Sequence, residues 1–176
     1  FNLMVQSKEF VFLNDTQLSK QSWQTRNRII VSGKEHWLSL PILHDRISQT
    51  INETQLANTL RWRKKTEQTF LQNYNNHPHF VAAYEIIDLL FSNLTLSLGR
   101  LNELIISYIA TKINISTHIH RSSELEIDGV RSMRLLDICE HFNADEYLSP
   151  LGSADYLKLD QFEDNFVGRV RFNNYS

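Results

Sequence analysis

Between Leu13 and Arg28 the chain carries a carboxylate, several amides, an indole and fixed positive charges within a few residues of one another: Asn14, Asp15, Gln17, Lys20, Trp23, Arg26, Asn27 and Arg28. That set matches the needs of an anionic, sugar-like or nucleotide ligand. Asp15 can act as a general base or accept a sugar hydroxyl, and Lys20, Arg26 and Arg28 can hold a phosphate or carboxylate. Asp15 and Lys20 are therefore the candidate catalytic residues, and the others line the substrate. Phe10 to Leu13, just before them, is an unbroken apolar run that predicts a strand buried on both faces. Ligands in open α/β sheets sit beyond the carboxyl ends of strands, which is where Asn14 and Asp15 fall. The plainer alternative is a turn at Asn14-Asp15 followed by a solvated basic segment.

Three further groups could bind a ligand. Arg61 to Lys65 crowd cations into the first turns of a predicted helix, against its macrodipole, a placement that fits either a ligand contact from this basic run or a solvated face with Trp62 packed inward. Arg121, Ser122 and Ser123 follow a predicted strand and offer a guanidinium and two hydroxyls to phosphate or sugar oxygens. Ser149, Gly152, Asp155 and Tyr156 lie where a strand passes through a small-residue loop into a helix, a place where unpaired amides can cradle an anion. Arg134, near another helix start, completes the candidates. His118 and His120 share one face of a strand, but spacing gives them no third ligand and no metal is expected. Cys139 sits among apolar residues at helical spacing and reads as core, without a base to activate it.

The elements that must position these groups follow from the pattern of residues. Arg28–Val31 and His36–Ile42 predict a hairpin turning through Ser32 to Glu35, with Trp37, Leu38 and Leu40 as its core contacts. Ile47 to Leu56 alternates weakly and predicts an edge strand or loop. A helix is expected from a cap at Asn58, with Trp62 packed inward; two more follow, carrying Phe80, Ile87, Leu90 and Phe91, then Leu98, Leu101 and Ile105, at helical spacing. Ile115–His120 predicts a strand, Ser132–Asn143 a helix that buries Met133, Leu136 and Cys139, Glu146–Ser149 an inner strand, and Val170–Phe172 a last strand. Alternation in the second half predicts a mostly parallel, Rossmann-like α/β sheet with a hairpin and a helical insertion at about 58–112, in one domain over 1–176. Right-handed crossovers would bring Asp15, Ser122 and Ser149 to one edge.

The Leu13-Asn14-Asp15, Gln17, Lys20, Trp23, Arg26-Asn27-Arg28-Ile29 series resembles the signature of the WbqC-like family. Trp62-Arg63-Lys64-Lys65 is similar to a basic run of that family, which implies a phosphate or carboxylate contact from Arg63, Lys64 or Lys65. Ser122-Ser123-Glu124-Leu125, then Gly129 with Arg134-Leu135 and Asp137-Ile138-Cys139, and Tyr147-Leu148-Ser149 with Asp155-Tyr156-Leu157 resemble later segments of the family. Two departures stand out: Asn14 where an acid is usual, and Pro150 in place of a glycine. The family's first strand and its loop would end about where Phe1 begins, so that segment is expected to be absent. The resemblance implies a protein encoded among genes for O-antigen and other bacterial surface polysaccharides, with a glycine- or acyl-type transferase acting on sugars or nucleotide sugars. Alternatives are a nucleotidylyl-transferase-like enzyme that activates a carboxylate, or a sugar-nucleotide-binding protein without turnover.

Composition bounds these readings. A 176-residue chain that is 41% hydrophobic can bury a real core. Its net charge of −2 gives no global attraction to nucleic acid or an acidic membrane, so an anion must be held by local clusters. One cysteine excludes an internal disulfide and a thiolate metal cluster. No stretch has the length and apolarity of a membrane span, which predicts a cytoplasmic protein. The sequence names no cofactor, and the partner expected is a nucleotide sugar or other anionic small molecule.

Overall fold

A computed structural model describes residues 1–57 and 59–173. The described residues form a mixed α/β protein, in chain order α1 (Asn2–Gln6), β1 (Glu9–Phe12), β2 (Arg26–Val31), β3 (Lys34–Ser39), α2 (Leu60–Tyr74), α3 (Phe80–Ser92), α4 (Leu98–Lys112), β4 (His118–Arg121), α5 (Arg131–His141), β5 (Glu146–Pro150), α6 (Ala154–Leu159), α7 (Phe162–Asn165) and β6 (Arg169–Asn173). Ladders join β1 to β4 and β5 to β6 in parallel, and β2 to β3 antiparallel. Both the parallel pairing and the hairpin follow the sequence expectation, while the sheet consists of two-stranded ladders among the described residues. The chain divides into two compact units, one of residues 1–13 with 114–176 and one of residues 14–113.

The first unit builds its core between the β5·β6 pair and helices α5 to α7. Cys139, Leu157 and Phe162 are buried there, with Leu136, Tyr147, Val170 and Phe172 packed around them. Cys139 is thus a core residue, and burial pushes its thiol up to about 11. Two expectations are corrected. Met133 is 59% exposed, because α5 turns Ser132, Ile138 and Cys139 inward instead. β1 is half-buried along its length rather than buried on both faces, and Leu13, which follows it, is exposed.

The second unit packs three helices and a hairpin. Ile87, Leu90, Phe91 and Leu101 form one buried cluster and Leu18, Ile51 and Leu98 another, with Leu40 packed against both. The hairpin turns through Ser32 and Gly33, both at positive φ (51° and 76°), the two-residue geometry that matches strand twist. The turn is tighter than the four residues expected. Its outer edge is closed by α2: the Ile30 N–H donates to Tyr74 Oη at 2.7 Å and the Ser32 N–H to Asn73 Oδ1 at 2.9 Å. Residues 47–56 form turns fastened by single bridges, Gln17 to Thr50 and Ile42 to Leu56. The same loop caps α4, whose otherwise unpaired Leu98 and Gly99 N–H groups donate to the carbonyls of Thr54 and Ile51. Thr59 occupies the N-cap position of α2; the cap expected at Asn58 lies outside the described residues. Trp62 does pack inward, edge-on to Phe91 at 5.9 Å.

Candidate functional site

The loop that follows β1 is anchored by one apolar residue. Leu18 is buried against Ile51 and Leu98, and its N–H donates to the Gln49 carbonyl at 2.9 Å. Neighbours on extended backbone face opposite ways, so burying Leu18 turns Gln17 and Ser19 outward. The Gln17 amide donates to the Ile47 carbonyl at 2.7 Å. Downstream, the Thr25 carbonyl accepts from the Leu40 N–H and the Gln24 carbonyl from the Asn102 amide, both at 2.8 Å. Between these anchors the surface opens into a depression of about 380 Å³ lined by Lys20, Gln21, Thr25, Ile42 and His44. A neighbouring one of about 330 Å³ shares Lys20 and His44 and adds Gln17 and Ile47. Lys20 has no ion-pair partner among the described residues. Asn14, buried, and Asp15, half-buried, occupy the turn at the start of this loop, where the Asn14 carbonyl accepts from the Asn52 N–H at 2.8 Å.

Beyond the depression, Trp23, Arg26 and Arg28 gather around Trp37. The register sets Arg28 opposite Trp37, and Arg26 lies two residues from Arg28 on the same face. The indoles of Trp23 and Trp37 meet at 5.1 Å between centroids. The Arg26 guanidinium lies 4.1 Å over the Trp37 ring, and that of Arg28 lies 5.3 Å from Trp23. This corrects Trp37, expected in the core: strand alternation puts it on the face opposite Leu38, where it remains 48% exposed. The two arginines differ in charge environment. Arg28 is paired with Glu35 at 2.8 Å, whereas Arg26 has no acidic partner among the described residues and its Nε is buried without a hydrogen bond. Asn27 faces away, its Oδ1 accepting from the Arg28 N–H at 2.8 Å. On α2, Arg63 lies 5.0 Å over the Phe91 ring, and Lys64 is exposed.

The remaining candidates belong to the other unit and are bound up in local structure. Arg121 holds both oxygens of Glu124, at 3.0 and 2.9 Å. Ser122 is buried, with its carbonyl accepting from Arg134 Nη2 at 3.3 Å; Ser123 is exposed. Gly129, at φ +122°, lets α5 start close by, since a Cβ there would meet Arg134 Cα at 3.3 Å. Ser149 and Ser153 are buried and hydrogen-bonded to each other through their hydroxyls. Gly152, Asp155 and Tyr156 are exposed on the following turn and helix. On β1·β4, Glu9 is gripped by two imidazoles, His120 Nε2 at 2.6 Å and His118 Nδ1 at 3.2 Å. Those hydrogen bonds, His120's first, hold the Glu9 carboxyl below the usual range. Among the described residues no group of three or more His, Cys, Asp or Glu side chains is arranged to hold a metal.

The sequence model described as the WbqC-like protein family matches residues 1–176. The chain belongs to that family. It is also 29% identical, over 99% of its own length and 76% of the relative's, to a protein of Mycobacterium tuberculosis named as uncharacterized protein Rv1507c. No solved structure matches it. No helix among the described residues is long and apolar enough to cross a membrane.

Within this WbqC-like chain the structure brings together Gln17 with Lys20, and Trp23 with Arg26 and Arg28. It adds three residues that sequence reasoning did not single out for function. Trp37 could have been found by counting alternate residues back from Leu38. Glu9 and His44 carried no local signal, because the parallel register and the Ile42 to Leu56 bridge that place them are long-range.

Proposed function

We propose that this WbqC-like protein is a sugar- or nucleotide-sugar-modifying transferase, of the glycine or acyl type, in bacterial surface polysaccharide biosynthesis in the cytoplasm. The observation that carries the reading is the open depression lined by Lys20, a cation with no carboxylate partner among the described residues, with a second such cation, Arg26, on the strand that follows. An exposed cation without a carboxylate partner is available to an anionic ligand, and a concave surface with a few polar groups fits a sugar. Family membership supports the same class of substrate. A Rossmann-like arrangement of the parallel strands is part of the proposal.

In this mechanism Asp15 takes the proton from the acceptor hydroxyl or amine as that group attacks the carbonyl carbon of an activated acyl donor. Lys20 offsets the negative charge on the tetrahedral oxygen, and the donor's leaving group departs with the proton. Gln17 and Asn14 hold sugar hydroxyls and Arg26 the phosphate, with Arg28, which is paired with Glu35, a further candidate contact. Arg63 and Lys64 on α2, and the set Arg121, Ser122, Ser123, Arg134, Ser149, Gly152, Asp155 and Tyr156, are further candidates for ligand contacts.

The test is mass spectrometry of nucleotide sugars incubated with the chain and activated glycyl or acyl donors. Asp15→Asn should lower the rate by about 10²-fold or more, the range of general base catalysis. Full turnover in that variant would remove Asp15 from the mechanism. Release of pyrophosphate from ATP with a carboxylic acid would favour the nucleotidylyl-transferase alternative.

A further inference from the structure

The face carrying Trp23, Trp37 and Arg26 goes beyond an anion site. Trp23 is 61% exposed although it touches Trp37, so much of its indole remains open to a second flat partner. The Arg26 guanidinium lies over the Trp37 ring, 4.1 Å from its centroid, and has no acidic partner among the described residues. The nearest arginine on the strand, Arg28, is already neutralised by Glu35. A flat aromatic surface, Trp23 in the loop before β2, and an unneutralised guanidinium, Arg26 on β2, thus both pack against Trp37. A nucleobase needs the first and a phosphate the second.

We infer that this face is a nucleoside diphosphate subsite, in which the base stacks on Trp23 and the diphosphate is held by Arg26. The inference rests on the reading above that the ligand is an anionic sugar compound, and it assigns the nucleotide half of that ligand. Trp37 is a positioning residue: it orients Arg26 and supports Trp23 without contacting the ligand. Because every base has a stackable face, discrimination among bases is weak.

The experiment is calorimetric titration of the full chain with UDP, ADP, uridine, inorganic pyrophosphate and glucose 1-phosphate. UDP and ADP should bind with similar affinity, each about tenfold or more tighter than uridine or pyrophosphate, as base stacking and phosphate contacts combine. Trp23→Ala should weaken UDP about tenfold and leave pyrophosphate unchanged, and Trp23→Phe should restore most of the loss. Arg26→Gln should weaken UDP and pyrophosphate together. Thermal unfolding of each variant separates these effects from loss of fold, since a purely structural stack would lower stability and leave the ratio of UDP to pyrophosphate affinity untouched. Equal binding of UDP and pyrophosphate in the parent chain overturns the base subsite. If glucose 1-phosphate still binds in that case, the sugar-ligand reading stands alone; if none of the probes binds at millimolar concentration, both fall.

Discussion

Glu9 carries the clearest electrostatic consequence of any single residue. Its carboxyl is held below the ordinary value of 4.5 chiefly by the hydrogen bonds from His120 and His118. A carboxyl with a depressed folded-state pKa contributes stability that is present above its unfolded value and lost as pH falls through the folded one. Urea midpoints measured from pH 7 to pH 3 should therefore fall steeply below about pH 4.5 in the parent chain. They should fall less steeply in Glu9→Gln, with other depressed carboxyls such as Glu146 supplying the remainder. Identical acid limbs in the two proteins would show that the imidazole clamp contributes nothing to stability. At this scale the sequence was only half legible. Two histidines spaced for one strand face were visible, but the acid they serve lies 109 residues away from His118 and 111 from His120.

Among the elements, the hairpin is the most fully written in its own residues. Alternation sets the faces of β2 and β3, and Ser32-Gly33 supplies the positive φ values of the turn. Nothing lies within 4 Å of a Cβ built on Gly33, so its replacement meets no steric obstacle beyond its own backbone at φ +76°. Gly33→Ala should accordingly cost about 1 to 2 kcal/mol, the penalty of a left-handed conformation for a residue with a Cβ. Equilibrium unfolding followed by tryptophan fluorescence would register it, and an unchanged midpoint would mean the turn relaxes to another type. The long helices α2 to α4 were equally legible, because their apolar residues recur at helical spacing. The misreadings share one cause. Trp37 and Met133 are large apolar residues on exposed faces, and hydrophobicity alone does not say which face a fold covers. The short α7 passed unnoticed, since four residues are too few to show a period.

For the molecule as a whole, the candidate residues fall into two sets that the chain's own organisation separates. Asp15, Gln17, Lys20, Trp23, Arg26 and Arg28 lie in the unit of residues 14–113, and Ser122, Arg134 and Ser149 in the other. Family membership was readable because its motifs recur in order along the chain. The depression was not, since it depends on pairings between residues 17 and 50 and between 42 and 56. All three tryptophans, Trp23, Trp37 and Trp62, lie in the unit of residues 14–113, which gives a direct test of the claim that this unit binds an anionic sugar ligand. Nitrogen-correlated NMR of the three indole N–H signals should be followed during titration with UDP-glucose. The signals of Trp23 and Trp37 should move and saturate, while that of Trp62, packed on Phe91, stays in place. Saturable binding that leaves the Trp23 and Trp37 signals unmoved, or no binding at millimolar concentration, would contradict the assignment.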